Sequence, residues 1–198
     1  MQPAQRIPST IRTWALLPFA FALLLLPVAI YYTLMEHGEL EATREARGFS
    51  TVISAVRSYY LTNVTNRVFA AGGRAIPSDR YHEIEGGIPI PATFSLELGE
   101  AIRGKLEDEV FRFSFVSDAP FRTRVRPPLD AFQLDALQKF RDDAKRSEHI
   151  RTERDGFNAF KVRMAIPVRM EAGCVACHNA HPGSPTRTWK VGDVRGIQ

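Results

Sequence analysis

Charge disappears from the chain between Trp14 and Tyr32, where the sequence reads WALLPFAFALLLLPVAIYY. A helix rises about 1.5 Å per residue, so this run is long enough to cross a bilayer core. It is apolar on every face, unlike a helix of a soluble domain. Pro18 and Pro27 are tolerated in a membrane helix. From Glu36 the pattern changes. Phe49, Val52, Ile53, Val56, Tyr60 and Val64 recur at helical spacing as far as Ala71, and Gly72-Gly73 then ends the run. The spacing predicts one long amphipathic helix rising from the span. Its stripe reads as core, with Tyr59 or Tyr60 as candidate ligand contacts.

Further on, Gly86-Gly87, Pro89 and Pro91 force an extended entry. A short helix follows from Thr93, with Phe94, Leu98 and Ile102 on one face. Val110 to Val116 alternates Phe111, Phe113 and Phe115 with polar residues and reads as a strand with one buried face. A loop leads to a helix over Leu129–Lys145, whose apolar positions are Phe132, Leu134, Leu137 and Phe140; its charged face reads as solvated. Gly156 to Met170 predicts one long half-buried strand, with Phe160, Val162, Met164, Ile166, Val168 and Met170 inward and Lys161, Arg163 and Arg169 outward. Val191, Val194 and Ile197 suggest a last strand. Helices and antiparallel strands in this order imply an α+β domain built on one sheet.

The chain has 198 residues, 44 % of them hydrophobic and 10 % aromatic, which suits a chain with a real core. A domain of about 160 residues buries roughly two-thirds of its unfolded surface and needs no staples. The net charge of +4 reflects scattered arginines, and no basic stripe interleaved with aromatics suggests nucleic acid. Arg6 and Arg12 precede the apolar run; Glu36, Glu39 and Glu41 follow it, while Arg44 and Arg47 weaken the asymmetry. The expected topology is a cytoplasmic N-terminus over 1–13, an anchor over 14–32 and an exported domain over 36–198. A cleaved signal peptide is the alternative. It needs a shorter apolar region and a small-x-small site, and the stretch after Tyr32 offers no convincing one.

The only two cysteines stand in Cys174-Val175-Ala176-Cys177-His178. C-x-x-C-H is the attachment pattern of a c-type haem. The two thiols can each form a thioether with one haem vinyl group, and the next residue, His178, offers its imidazole to the iron. Three other readings compete. A redox pair lacks the strand–turn–helix context. A disulfide so local constrains little chain. Zinc on Cys174, Cys177 and His181 leaves its fourth ligand unnamed.

The segments IPIPATFSLELGEAI, FRFSFVSD and CVACHNAHPGSPTRTWKVGDVRG, together with the Tyr-Tyr helix, resemble the bacterial haem-c-binding sensor domain family, first catalogued as a domain of unknown function. The likeness runs from about Phe49 to the end. It is most specific at Pro91–Phe94, at the haem box and at Trp189–Gly196. The resemblance implies a PAS-like fold. It also implies the role of an extracytoplasmic sensor in cyclases, histidine kinases and chemoreceptors, or of a stand-alone periplasmic protein, with no chemistry of its own. Cys174, Cys177 and His178 match the family's haem site residue by residue, and Tyr60, Pro91 and Phe94 are expected beside the haem. In the resembled receptors the last strand leads to a second span and a catalytic domain. Here the expectation is either a fragment of such a receptor or a singly anchored protein signalling through a partner.

The expected protein is a single-pass bacterial inner-membrane sensor of redox state or a small ligand. It carries one covalent haem c in a periplasmic PAS-like domain and is not an enzyme. Homodimerisation, a cytoplasmic output domain or partner protein and a small diatomic ligand are its expected associations. A membrane-anchored monohaem electron carrier is the alternative, and a non-haem structural or adhesive domain a third class. For the second axial position, an open or water-bound site is the first expectation and His82 the second. Met164 and Met170 read as core, His149 as solvated, and His181 as lying on the same side of the haem as His178.

Overall fold

The structure, a computed structural model, describes residues 9–104, 112–122, 127–156 and 159–198. Helix α1 runs from Ser9 to Tyr60 without a break between the apolar span and the amphipathic stretch. It is long and apolar enough to cross a membrane, a test that a signal sequence also passes. A π-helical turn, Leu61–Thr65, follows directly, and then α2, Asn66–Ala71. Gly72 closes α2 in the left-handed conformation, φ 58°, which glycine adopts without a Cβ penalty.

Next come β1 (Ile76–Ser78), a 3-10 turn (Tyr81–Glu83), β2 (Gly87–Pro89) and α3 (Pro91–Arg103). The chain continues through α4 (Ala131–Asp142), β3 (His149–Asp155), β4 (Ala159–Ala165), β5 (Pro167–Arg169), α5 (Ala172–Ala180) and β6 (Val194–Ile197). Mixed helix and sheet make the fold α+β. Among the described residues the strands form three two-stranded sheets rather than one: β1·β2 parallel, and β3·β4 and β5·β6 antiparallel. The last two share one stretch of chain. Ile166 separates β4 from β5, yet it exchanges both backbone hydrogen bonds with Gln198, at 2.9 and 3.0 Å.

The long strand expected over Gly156–Met170 is therefore interrupted at Ile166, and its first half is covered on both faces. Phe160 lies against Gly38 of α1. On the opposite face Ala165 joins Phe132, Ala136, Leu137, Phe140, Val194 and Ile197 in the core between α4 and β6. Arg163 and Arg169 do not simply face water. Arg163 lies over the Phe132 ring at 4.4 Å and binds Asp130 at 2.6 Å. Arg169 donates to the carbonyls of Phe140, Asp143 and Arg146 and so closes the C-terminus of α4.

α4 begins on a capping box: the Asp130 carboxylate accepts from the Gln133 N–H, and Gln133 Oε1 accepts from the Asp130 N–H. Its buried face is Phe132, Ala136, Leu137 and Phe140. Leu134, expected inside, is 51 % exposed because it sits two residues from Phe132, off that face. Val52 on α1 is likewise 59 % exposed, while its neighbour Ile53 is buried. Of the strand expected over Val110–Val116, the first two residues lie outside the described residues. Val116 alone forms a bridge, to Ile197, although the half-buried and exposed positions still alternate over 112–115.

β3 was not anticipated. His149 was expected in solvent and is instead buried, its ring on Phe132 at 5.2 Å and its Nε2 3.0 Å from Asp135. Asp118 and Arg141 pair through two hydrogen bonds of 2.7 Å, which hold the Asp118 carboxyl below the usual carboxylate range. A folded-state pKa depressed in this way adds stability that is complete above the ordinary carboxylate pKa. That stability is lost as pH falls through the depressed value. Both partners are about a third exposed, so Asp118→Asn should cost only about 0.5 kcal/mol at neutral pH. It should also flatten the acid limb of a denaturation–pH profile; an unchanged limb would remove this pair from the account.

Candidate functional site

Cys174, Cys177 and His178 all stand on α5. Positions three and four apart share one face of a helix, so both thiols and the imidazole are presented together. The face opens into a mostly apolar cleft of about 170 Å³, lined by all three. Arg57 of α1, Leu61 and Thr65 of the π-turn, and Asn66 and Phe69 of α2 line it as well. Ile90, Pro91 and Ala92 at the start of α3 close one end, and Phe121 with Arg195 another.

α5 lies close against α2. A Cβ on Gly173 would stand 2.7 Å from Asn66 Oδ1 and 2.8 Å from its Nδ2. Gly173→Ala should therefore push the end of the Asn66 side chain aside and lower stability by less than about 1 kcal/mol, part of it offset by the better helix propensity of alanine. Asn66→Ala in the same chain should recover most of the loss. Two additive losses in a double-mutant melt would contradict that contact.

Both thiols are free, and burial pushes both thiol pKa values up. They are therefore protonated at neutral pH, unlike the thiolates of a reactive redox pair. Among the described residues no three His, Cys, Asp or Glu side chains converge as metal ligands. The imidazole of His178 is kept neutral. Burial, then Arg195 and His181, lower its pKa to about 4. Its Nδ1 accepts from Arg195 Nε at 3.2 Å, and its ring lies 4.9 Å from Phe121.

The other expected site residues divide. Pro91 lines the cleft. Tyr60 and Phe94 do not: they stack on each other at 4.4 Å and 6°, and the Tyr60 hydroxyl donates to the Pro89 carbonyl at 2.9 Å. They fix α1 to the start of α3, one layer behind Pro91. His82 is not brought to the cleft. Its side chain is 73 % exposed, 3.4 Å from Glu97, with its ring tilted against that of Tyr81 at 3.9 Å. Met170 and His181 do line the cleft; Met164 and His149 do not.

Four contributors escaped the sequence reading: Arg57, Thr65, Phe121 and Arg195. Arg195 is buried, with its guanidinium 5.5 Å from the Phe121 ring and 5.4 Å from that of Trp189, and it donates to Ser117 Oγ at 2.6 Å. Trp189 is tied back to α5 by a reciprocal pair of 3.0 Å hydrogen bonds between its backbone and the Asn179 amide. The Trp189–Gly196 signature was the available signal for Arg195. Thr65 is 2 % exposed, and its Oγ1 has no hydrogen-bond partner.

Fold and site together define an α+β domain, carried on a long helix with an apolar N-terminal part, whose C-x-x-C-H helix faces a largely apolar cleft. The chain belongs to the Tll0287-like family, whose family model matches residues 35–198. No curated protein and no solved structure matches it.

Proposed function

We propose that this is a sensor domain that holds one haem c covalently through Cys174 and Cys177, with His178 as the iron's protein ligand. The observation that carries the reading is the arrangement of α5: two protonated thiols and a neutral imidazole on one helix face, opening into a mostly apolar cleft. The donor set fits the group. The thiols and the imidazole need not converge on one point, because they serve vinyl carbons and iron respectively. Membership of the Tll0287-like family, the haem-c-binding sensor family that the sequence resembles, supports the same cofactor.

Bound there, a haem supplies a one-electron couple and an iron that can take a small ligand. The chain's own residues do the rest. His178 must free Nε2 for a metal, which places its proton on Nδ1 and releases the bond that Arg195 now donates. Phe121 holds the ring plane, and Leu61 with Pro91 excludes water. Part of the cleft wall is the π-turn of the helix that continues into the apolar span, and π-turns cluster at functional sites. A change in the cleft therefore has one contiguous element through which to act towards a membrane.

The full reading is a PAS-like periplasmic domain, singly anchored in a bacterial inner membrane. It performs no reaction of its own and passes its state to a cytoplasmic output domain or partner, as a homodimer. This reading goes with an iron that would keep a position open or water-bound rather than bonded to His82, and the exposure of His82 outside the cleft supports it. Protein produced with haem-maturation machinery should show a c-type spectrum, and its ferrous form should bind carbon monoxide rapidly and completely. A colourless protein would remove the cofactor; a ferrous spectrum indifferent to carbon monoxide would give the position to a side chain such as Met170.

A further inference from the structure

Three arginines line the cleft, and two are engaged. Arg169 donates to carbonyls at the end of α4, and Arg195 to His178 and Ser117. Arg57 is half-buried on the α1 wall, and no hydrogen bond or ion pair reaches it among the described residues. Burial lowers its pKa, opposed by Cys174 and Glu171. The carboxylate of Glu171 accepts instead from Ser58 at 3.4 Å. A guanidinium cannot shed its proton, and a half-buried cation lining an apolar cleft gains from a charged acceptor seated beside it. Its planar fork suits a carboxylate best.

We propose that Arg57 is a carboxylate seat inside the cleft and that its occupant is a haem propionate. The identity of the occupant rests on the haem reading above; the seat does not. Arg57 stands four residues before the π-turn, so its occupant bears on α1 where the helix changes its winding.

The test uses the full chain with its haem, compared with Arg57→Gln and Arg57→Lys. Denaturing mass first establishes that the haem is attached. Loss of the cation in Arg57→Gln should lower the reduction potential, because ferric haem is then less disfavoured, and should shift the propionate bending band in the resonance Raman spectrum. Arg57→Lys keeps the charge without the fork, so it should retain the potential and shift the band. If the glutamine variant does not mature, the lysine band alone decides. Acetate that moves the wild-type potential but not that of Arg57→Gln would assign the seat to a free carboxylate. Variants matching wild type in potential and band, with no response to acetate, overturn the proposal. A wild-type chain that carries no haem overturns the haem reading instead. Acetate then decides the seat: a rise in melting temperature lost in Arg57→Gln supports it, and no rise overturns it.

Discussion

Chains carrying Cys174→Ser or Cys177→Ser should retain at most one thioether, and the double variant should carry no covalent haem at all. The expectation follows from chemistry that only a thiol supplies. Serine at either position keeps the size and polarity of the side chain but not the sulfur that bonds to a vinyl carbon. The thiols are half-buried and protonated, so they are not poised as thiolates for disulfide exchange. His178→Ala separates the two roles of the motif: both thioethers should persist while the spectrum reports a changed iron. Denaturing mass spectrometry of the wild type should find the polypeptide plus one haem. Haem that extracts from the wild type into acidified organic solvent, or an unchanged mass for the double variant, would end this account of the site.

What could be read in advance depended on whether burial was achieved by apolarity. The α1 stripe around Ile53 and the α4 face of Phe132, Leu137 and Phe140 follow helical spacing, so they were legible. Val52 beside Ile53 was not, because neighbouring positions on a broad stripe differ by about 100° and the pattern does not say which is inside. β3 was illegible for a different reason. Its sequence, HIRTERD, is polar, and its residues are accommodated by lateral pairing: His149 and Arg151 with Asp135, Thr152 with Glu39. Arg163 and Arg169 misled in the same way, since their alternation was real but α4 covers the side they face.

The candidate site divides along the same line. Its α5 wall is one local motif and needed no fold to be recognised. Its other walls draw Arg57 and Thr65 from α1 and the π-turn, Phe121 from a loop and Arg195 from β6. Each is unremarkable in its own stretch of sequence. Only the fold brings them to one cleft, and His82, close to Pro91 in sequence, is left outside it.

Phe140→Ala should cost about 3–5 kcal/mol of folding stability, the range for deleting a buried aromatic ring. Phe140 is 0 % exposed and sits among Leu137, Ala165, Val194 and Ile197, where α4 meets β6. The consequence extends to the cleft through connectivity. β5 pairs with β6 and runs by way of Met170 into the first turn of α5, while β6 carries Arg195. The Phe140 carbonyl itself accepts from Arg169, at the end of β5. A loosened α4 therefore loosens both the strand that aims the thiols and the strand that holds His178. Phe140→Leu keeps most of the apolar volume and should lose far less stability than Phe140→Ala. The measurement is chemical denaturation of the full chain, followed by the fraction of chains carrying haem. A loss below about 1 kcal/mol in Phe140→Ala would mean that this core is not closed as described. A full loss of stability with haem attachment intact would mean that α5 is held by contacts other than β5 and β6.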